Sequence, residues 1–496
     1  MKKKFTVVLI LLVTCFGVFS GCKTDFVNRF SKNVDEYEIN INLDEKEHIA
    51  NCTQTVNYVN KTEDELEEVY FHLYPNAFKK DAVNKPVSSV YETKAYYNGF
   101  SEGGIDITKV EVNGKEVEIL LEGTDNTLIK VLLEDGLNKN KKVSIYFEYC
   151  LTIPNVNHRF GYGENTLNLG NFYPVACVYE NGEFDKNGYH YNGDPFYSNL
   201  ANYEVNVKCN SALTVASTGT EKSKEEADGY KNLKYSAKAV RDFALVFSNK
   251  FKVASQNYEN TKINYYYYGD ENADKSLETS VKAVSTFNDM FGKYPYETLS
   301  VVESNFVHGG MEFPCLVLIS DNLESYENYT ETIVHEIAHQ WWYGVVGNNQ
   351  FAYGWLDEGL AEYSSALFFE KHTEFEISYE SIINNANSSY CLFEDVYKDV
   401  FGKVDTTMNR KLNEFNTEPE YVYISYVKGM LMFDSLREVI GSKKFLSCVK
   451  YYYSCYMGKN AVPENLIDCF EKKSHFKLQE FFDSWINGKV VISDNA

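Results

Sequence analysis

The stretch Val334-His335-Glu336-Ile337-Ala338-His339-Gln340-Trp341-Trp342, with Trp355-Leu356-Asp357-Glu358-Gly359 beyond it, decides how the rest of this chain is read. On an α-helix, residues four apart lie one turn apart on one face. His335 and His339 can therefore reach a single metal ion. Glu336, next to the first histidine, can hang beside that metal without binding it and take a proton from its water. Two surface histidines on an amphipathic helix would show the same spacing, so the second element matters. Glu358 follows His339 after eighteen intervening residues and opens another apolar-periodic run, Leu360, Ala361, Ala366, Leu367 and Phe368. Two antiparallel helices joined through 344–354 would bring that carboxylate back over the imidazoles. Two nitrogens, one oxygen and an open fourth position suit catalytic zinc rather than a closed structural site. One Zn2+ per chain is expected.

On these residues the chain resembles the gluzincin metallopeptidases, and within them the membrane alanyl aminopeptidase family, which includes leukotriene-A hydrolase. The eighteen-residue spacer and the Glu-Gly after it are that family's signature. Gly309-Gly310-Met311-Glu312-Phe313 is similar to its Gly-x-Met-Glu-Asn segment, with Phe313 where Asn is usual. The resemblance implies that Glu312, together with Gly309, Gly310 and Met311, receives the free N-terminus of a peptide. A second carboxylate or amide from the N-terminal domain normally assists, and no stretch here matches its motif. Tyr426-Val427-Lys428-Gly429 matches the family's Tyr ahead of Lys-Gly, which implies that Tyr426 stabilises the oxyanion while Glu336 acts as general base. Tyr421 and Tyr423 are nearby understudies for that role, read by preference as packing residues. Glu362, one turn after Glu358, is either a partner that orients a zinc histidine or a solvated helix-face residue; His308 reads as a cleft wall.

The chain opens with Lys2, Lys3 and Lys4, an apolar run from Phe5 to Phe19, and Ser20-Gly21-Cys22. That run is short of the roughly 20 apolar residues of a membrane span and ends in small residues, which favours an export signal. The ending resembles a bacterial lipobox, with Phe19 where an aliphatic residue is usual. Cleavage before Cys22 would leave a lipidated cysteine and a short lipoprotein-like member of the family outside the cytoplasm; an uncleaved anchor is the alternative. The net charge of −23 argues against nucleic acid. Nine cysteines remain after Cys15 and Cys22, without C-x-x-C spacing, so they read as buried small side chains and not as a disulfide framework.

The expected organisation is a signal peptide over 1–22, a polar linker over 23–33, an N-terminal antiparallel β-sheet domain over 34–253 and a thermolysin-like catalytic domain over 254–490. Tyr37, Ile39, Ile41 and Leu43 alternate with polar residues, as do Val143, Ile145, Phe147 and Tyr149. Asn113-Gly114 is a hairpin turn. Gly170 to Pro174 and Asn192 to Tyr197 read as aromatic loops, packed by tyrosine or facing substrate. From Leu277 onward strands and helices alternate into the histidine helix, with Asn328 as a candidate cap. Beyond Gly354 the pattern is helical, and the large C-terminal helical domain of long family members is not expected. The resulting reading is a zinc aminopeptidase acting on peptides, with an endopeptidase or other zinc hydrolase on the same fold as the alternative. A catalytically dead surface interaction protein is a further possibility; oligomeric state is open.

Overall fold

The computed structural model describes residues 22–493, with side chains from Phe26 onward. The expected signal peptide, apart from the backbone of Cys22, therefore lies outside the described residues, as does the Cys22 side chain. The expected linker is instead a helix, Cys22–Phe30. Phe26 is buried against Tyr296, 5.8 Å between rings, and the Phe30 ring lies against Gly458. Two aromatic side chains on one helix face outweigh the polar character of the segment.

The N-terminal region is built on an eight-stranded sheet. Its first strand, Asp35–Asp44, alternates buried and exposed positions without a break, and Ile49–Val59 and Lys142–Thr152 follow it antiparallel. The turn at Asn113-Gly114 has both residues at positive φ, 52° and 79°, the twist that a two-residue hairpin needs. One departure from the antiparallel expectation is the pairing of Asp35–Asp44 with Ala201–Asn210, which is parallel. A parallel pair requires a crossover. The chain between the two strands runs over 45–200, and its last stretch, 153–200, carries the aromatic loops over to the catalytic half.

A second, five-stranded sheet starts with Lys252–Tyr258, so the boundary expected at 253/254 falls inside a strand. Thr261–Tyr267 and Thr298–Ser304 pair in parallel around the helix Ala273–Met290, and Leu316–Ser320 adds a further parallel strand. The two-residue strand Gly310–Met311 closes the sheet as an antiparallel edge. The histidine helix, Tyr326–Ala338, follows directly. It is capped by Ser325, whose Oγ accepts from Asn328 N at 3.2 Å, and not by Asn328, which lies inside the first turn.

Large aromatics fix where that helix ends. Trp341 donates from Nε1 to the Gly292 carbonyl at 2.8 Å, and Trp342 donates to Ser364 Oγ at 3.0 Å. The next helix, Gln350–Lys371, starts earlier than the expected Gly354, capped by the Asn349 side chain. It meets the later helix Lys428–Ile440 at a crossing with no side chain between the backbones. A Cβ on Gly359 would sit 3.0 Å from Gly429 Cα, and one on Gly429 would sit 2.8 Å from Gly359 Cα. The two glycines of the Glu-Gly and Lys-Gly motifs are thus each other's packing partner. Lys428 is buried beside them, donating from Nζ to the Thr406 carbonyl at 2.6 Å.

Gly359→Ala should accordingly lower stability by about 1–3 kcal/mol, the usual cost of overpacking a closed contact. A chemical denaturation series reads this as a lower midpoint at unchanged slope.

Candidate active site

The two histidines and Glu358 converge as their spacing requires. The Nε2 atoms of His335 and His339 are 3.0 Å apart. Glu358 Oε2 lies 3.1 Å from His339 Nε2 and 3.4 Å from His335 Nε2. Ligands about 2.0–2.1 Å from zinc stand about 3.3 Å apart on a tetrahedron. The donor set and its spacing therefore fit zinc. His339 Nδ1 faces the Trp342 carbonyl at 3.0 Å; donating its proton there leaves the Nε2 lone pair for a metal. Glu362 stands beside His335, with Oε1 3.7 Å from Nδ1, too far for a hydrogen bond.

Glu336 is 5 % exposed and lines a cavity of about 1140 Å3, and its Oε2 is buried without a protein partner. Burial, and then the carboxylates of Glu312, Glu358 and Asp194, lift its pKa well above the usual range, while His339 opposes them. A dication at the three ligands acts in the opposite direction. The Gly310 backbone passes so close that a Cβ there would meet Glu336 Oε1 at 2.3 Å. Only glycine lets the edge strand lie against this carboxylate.

Tyr426 reaches the site from the far wall, its hydroxyl donating to Glu358 Oε1 at 2.7 Å and its ring stacked on His335 at 6.0 Å. It sits in a π-helical turn, Tyr423–Val427, between Glu418–Val422 and Lys428–Ile440. The wider turn is a local feature that apolar periodicity could not reveal, and such turns recur at functional sites. Burial and the Glu358 charge raise the phenol pKa well above 10, so it remains a proton donor. Tyr423 stacks on Phe393 at 4.6 Å, away from the cavity, as a packing residue. Tyr421, in contrast, lines the cavity.

Glu312 is 3 % exposed and accepts from Gln350 Nε2 at 2.6 Å; the same amide donates to Asp357 Oδ2 at 2.9 Å. Its segment is tied to the histidine helix by Gln340, whose Oε1 accepts from Cys315 N at 2.7 Å and whose Nε2 donates to the Phe313 carbonyl at 3.2 Å. Gly309 and Gly310 line the cavity. Met311 does not: it is 1 % exposed and packs into the core, because successive strand residues point to opposite faces. Phe313 is also buried, its ring filling the space beside Gly170.

The residue that sequence reading missed is Asp194. It comes from the crossover of the N-terminal region, and its carboxylate shares a 4.8 Å cluster with those of Glu312 and Glu358. Arg159 holds it, Nη1 to Oδ1 at 2.6 Å. Burial still raises Asp194 to about 7 against the pull of Arg159. Gly193, at φ 97°, makes room for the Tyr421 ring, which a Cβ would meet at 2.4 Å. The signal for this loop was the Gly-Asp-Pro inside an aromatic run, and nothing local aimed it at the metal.

Residues 275–485 match the Peptidase family M1 domain. The chain is 27 % identical over 243 residues to Aminopeptidase M1-B of Oryza sativa subsp. japonica, which covers 46 % of this chain and 27 % of the relative. It is 24 % identical over 228 residues to Leukotriene A-4 hydrolase of Xenopus laevis, covering 43 % of this chain and 34 % of that one. The matches thus span about a third or less of these relatives' length. An M1 zinc metallopeptidase from Deinococcus radiodurans superposes with a TM-score of 0.65 at 15 % identity, over 93 % of this chain and 95 % of that one. A mutant of it bound to a Tyr-Ser-Ala substrate gives 0.65 over 93 % and 96 %. At that identity the likeness is one of fold.

Elemental analysis should find one zinc per chain. His335→Ala, His339→Ala and Glu358→Ala should each lose stoichiometric zinc, while Glu336→Gln should retain it; full occupancy in Glu358→Ala would remove the site as described.

Proposed function

We propose, from the premise that its domain over residues 275–485 makes this chain a member of the M1 peptidase family, that it is a zinc-dependent aminopeptidase acting on peptides outside the cytoplasm. The observation that carries the exopeptidase reading is the pair Glu312 and Asp194, two buried carboxylates beside the metal ligands. Their natural counter-charge is the α-ammonium of a peptide. Holding that ammonium there sets the first peptide bond over the metal site, and a chain extended past its N-terminus would lack the charge that this pair of carboxylates calls for.

Zinc, when bound to His335, His339 and Glu358, supplies Lewis acidity that activates water and polarises a carbonyl. The chain's own groups do the rest. Glu336 takes the proton of the attacking water and returns it to the departing amine as the C–N bond breaks. Tyr426, kept protonated, donates to the oxygen that gains negative charge as water adds. The strand Gly310–Met311 is the last of its sheet, so its outer edge offers backbone groups to an extended substrate.

Losing one hydrogen bond to a charged group costs roughly 1.5–3 kcal/mol, about one to two powers of ten in rate when the contact persists in the transition state. Glu312→Gln should lower kcat/KM on free-amine aminoacyl substrates by that order with zinc still bound, and N-acetylated substrates should scarcely be cleaved by wild type. Rapid cutting of internal bonds in a blocked peptide, unaffected by Glu312→Gln, would instead favour the endopeptidase.

The location is part of the same proposal. A basic start, a short apolar run and Ser20-Gly21-Cys22 support export and lipid attachment at Cys22. Among the described residues no helix is long and apolar enough to cross a membrane. Cys22→Ser should shift the protein from the membrane to the soluble fraction or stall its processing. Unchanged membrane retention of that variant would point to an uncleaved anchor.

A further inference from the structure

The wall of the same cavity also includes Tyr91, His308, Glu418 and Tyr421, to which the chemistry above assigns no task. Glu418 opens the helix Glu418–Val422 one turn ahead of Tyr421, so the two side chains share a face. Tyr421 lies against Gly193, next to Asp194. His308 lies four residues ahead of Glu312 on the same segment. Both neighbours set Glu418 on the side of the metal where Asp194 and Glu312 stand. Three residues, about 4.5 Å of helix rise, separate it from Tyr421.

The Glu418 side chain is 11 % exposed and has no cationic partner among the described residues. One carboxylate oxygen accepts from Ser88 Oγ at 2.5 Å, and the other faces His308 Nδ1 at 3.4 Å. Burial, followed by the charge of Arg159, pulls His308 down to about 3, so the imidazole is neutral at physiological pH. Arg159 is itself engaged by Asp194, and the exposed Lys94 on the cavity wall makes no ion pair with Glu418. A mostly buried carboxylate without a cation is costly to maintain, and here it borders open cavity.

We infer that this part of the cavity receives the side chain of the substrate's first residue and that Glu418 selects a cationic one, lysine or arginine. The inference rests on the aminopeptidase reading for its orientation of substrate. An ammonium or guanidinium would find the oxygen now facing His308 available as a charged acceptor, whereas a neutral side chain of equal length would leave Glu418 buried and uncompensated.

L-Norleucine carries the carbon chain of L-lysine without the terminal ammonium, so it ends in a methyl one atom shorter. Calorimetric titration of the zinc-loaded protein should show L-lysine binding at least tenfold tighter, and in Glu418→Gln the two affinities should agree within about twofold. Lysyl and norleucyl coumarin amides should give the same ratio in kcat/KM, carried by KM. Glu418→Lys should reverse the preference, which keeps the assignment testable if the glutamine variant folds poorly. Equal binding of the two amino acids by wild type, or a lysine preference that survives Glu418→Gln, overturns the subsite even if both substrates are cleaved. Failure of wild type to turn over any free-amine substrate overturns the aminopeptidase reading instead, and the titration then decides the subsite alone.

Discussion

Four buried carboxylates, Asp194, Glu312, Glu336 and Glu358, share one cavity, and their mutual repulsion is the constraint around which the rest is arranged. Burial and neighbouring negative charge push the first three upward, and only Glu358, held by the two histidines, falls, to about 2. Such a cluster is stable only beside positive charge. The protein supplies part of it as Arg159 and the imidazoles. The remainder is left to what the site binds, which on the proposed reading is a dication and the ammonium of a peptide.

Holding those charges in register needs rigid backbone, and the surrounding packing provides it by close approach. The Gly359 to Gly429 contact lets two helices touch, bringing Tyr426 within 2.7 Å of Glu358. Gly310 does the same between the edge strand and Glu336, and Gly193 between the Asp194 loop and Tyr421. Each glycine lies next to, or within three residues of, a group with a chemical role. The site is thus assembled from backbones brought close, with the bulk of Trp341 and Trp342 anchoring the end of the histidine helix from behind.

Much of this was legible in the chain itself. The i, i+4 histidines, the spacer to Glu358 and the helical period on either side determine the metal site, because helix geometry fixes which side chains meet. Period-two alternation identified Asp35–Asp44 and Lys142–Thr152 as half-buried strands for the same reason. Where the decisive contact was distant, sequence was silent or wrong. The helix Cys22–Phe30 looked like a polar linker until Phe26 found Tyr296, and Met311 looked like part of the cleft until the strand turned it into the core. The parallel pairing of Asp35–Asp44 with Ala201–Asn210 depends on the route of a long crossover, which no local pattern encodes. That same crossover carries Asp194 to Glu312, and the approach of the helix Glu418–Val422 sets Glu418 against His308. Ligands close in sequence were determined by local geometry; the carboxylates that would choose the substrate were decided only by how distant segments pack.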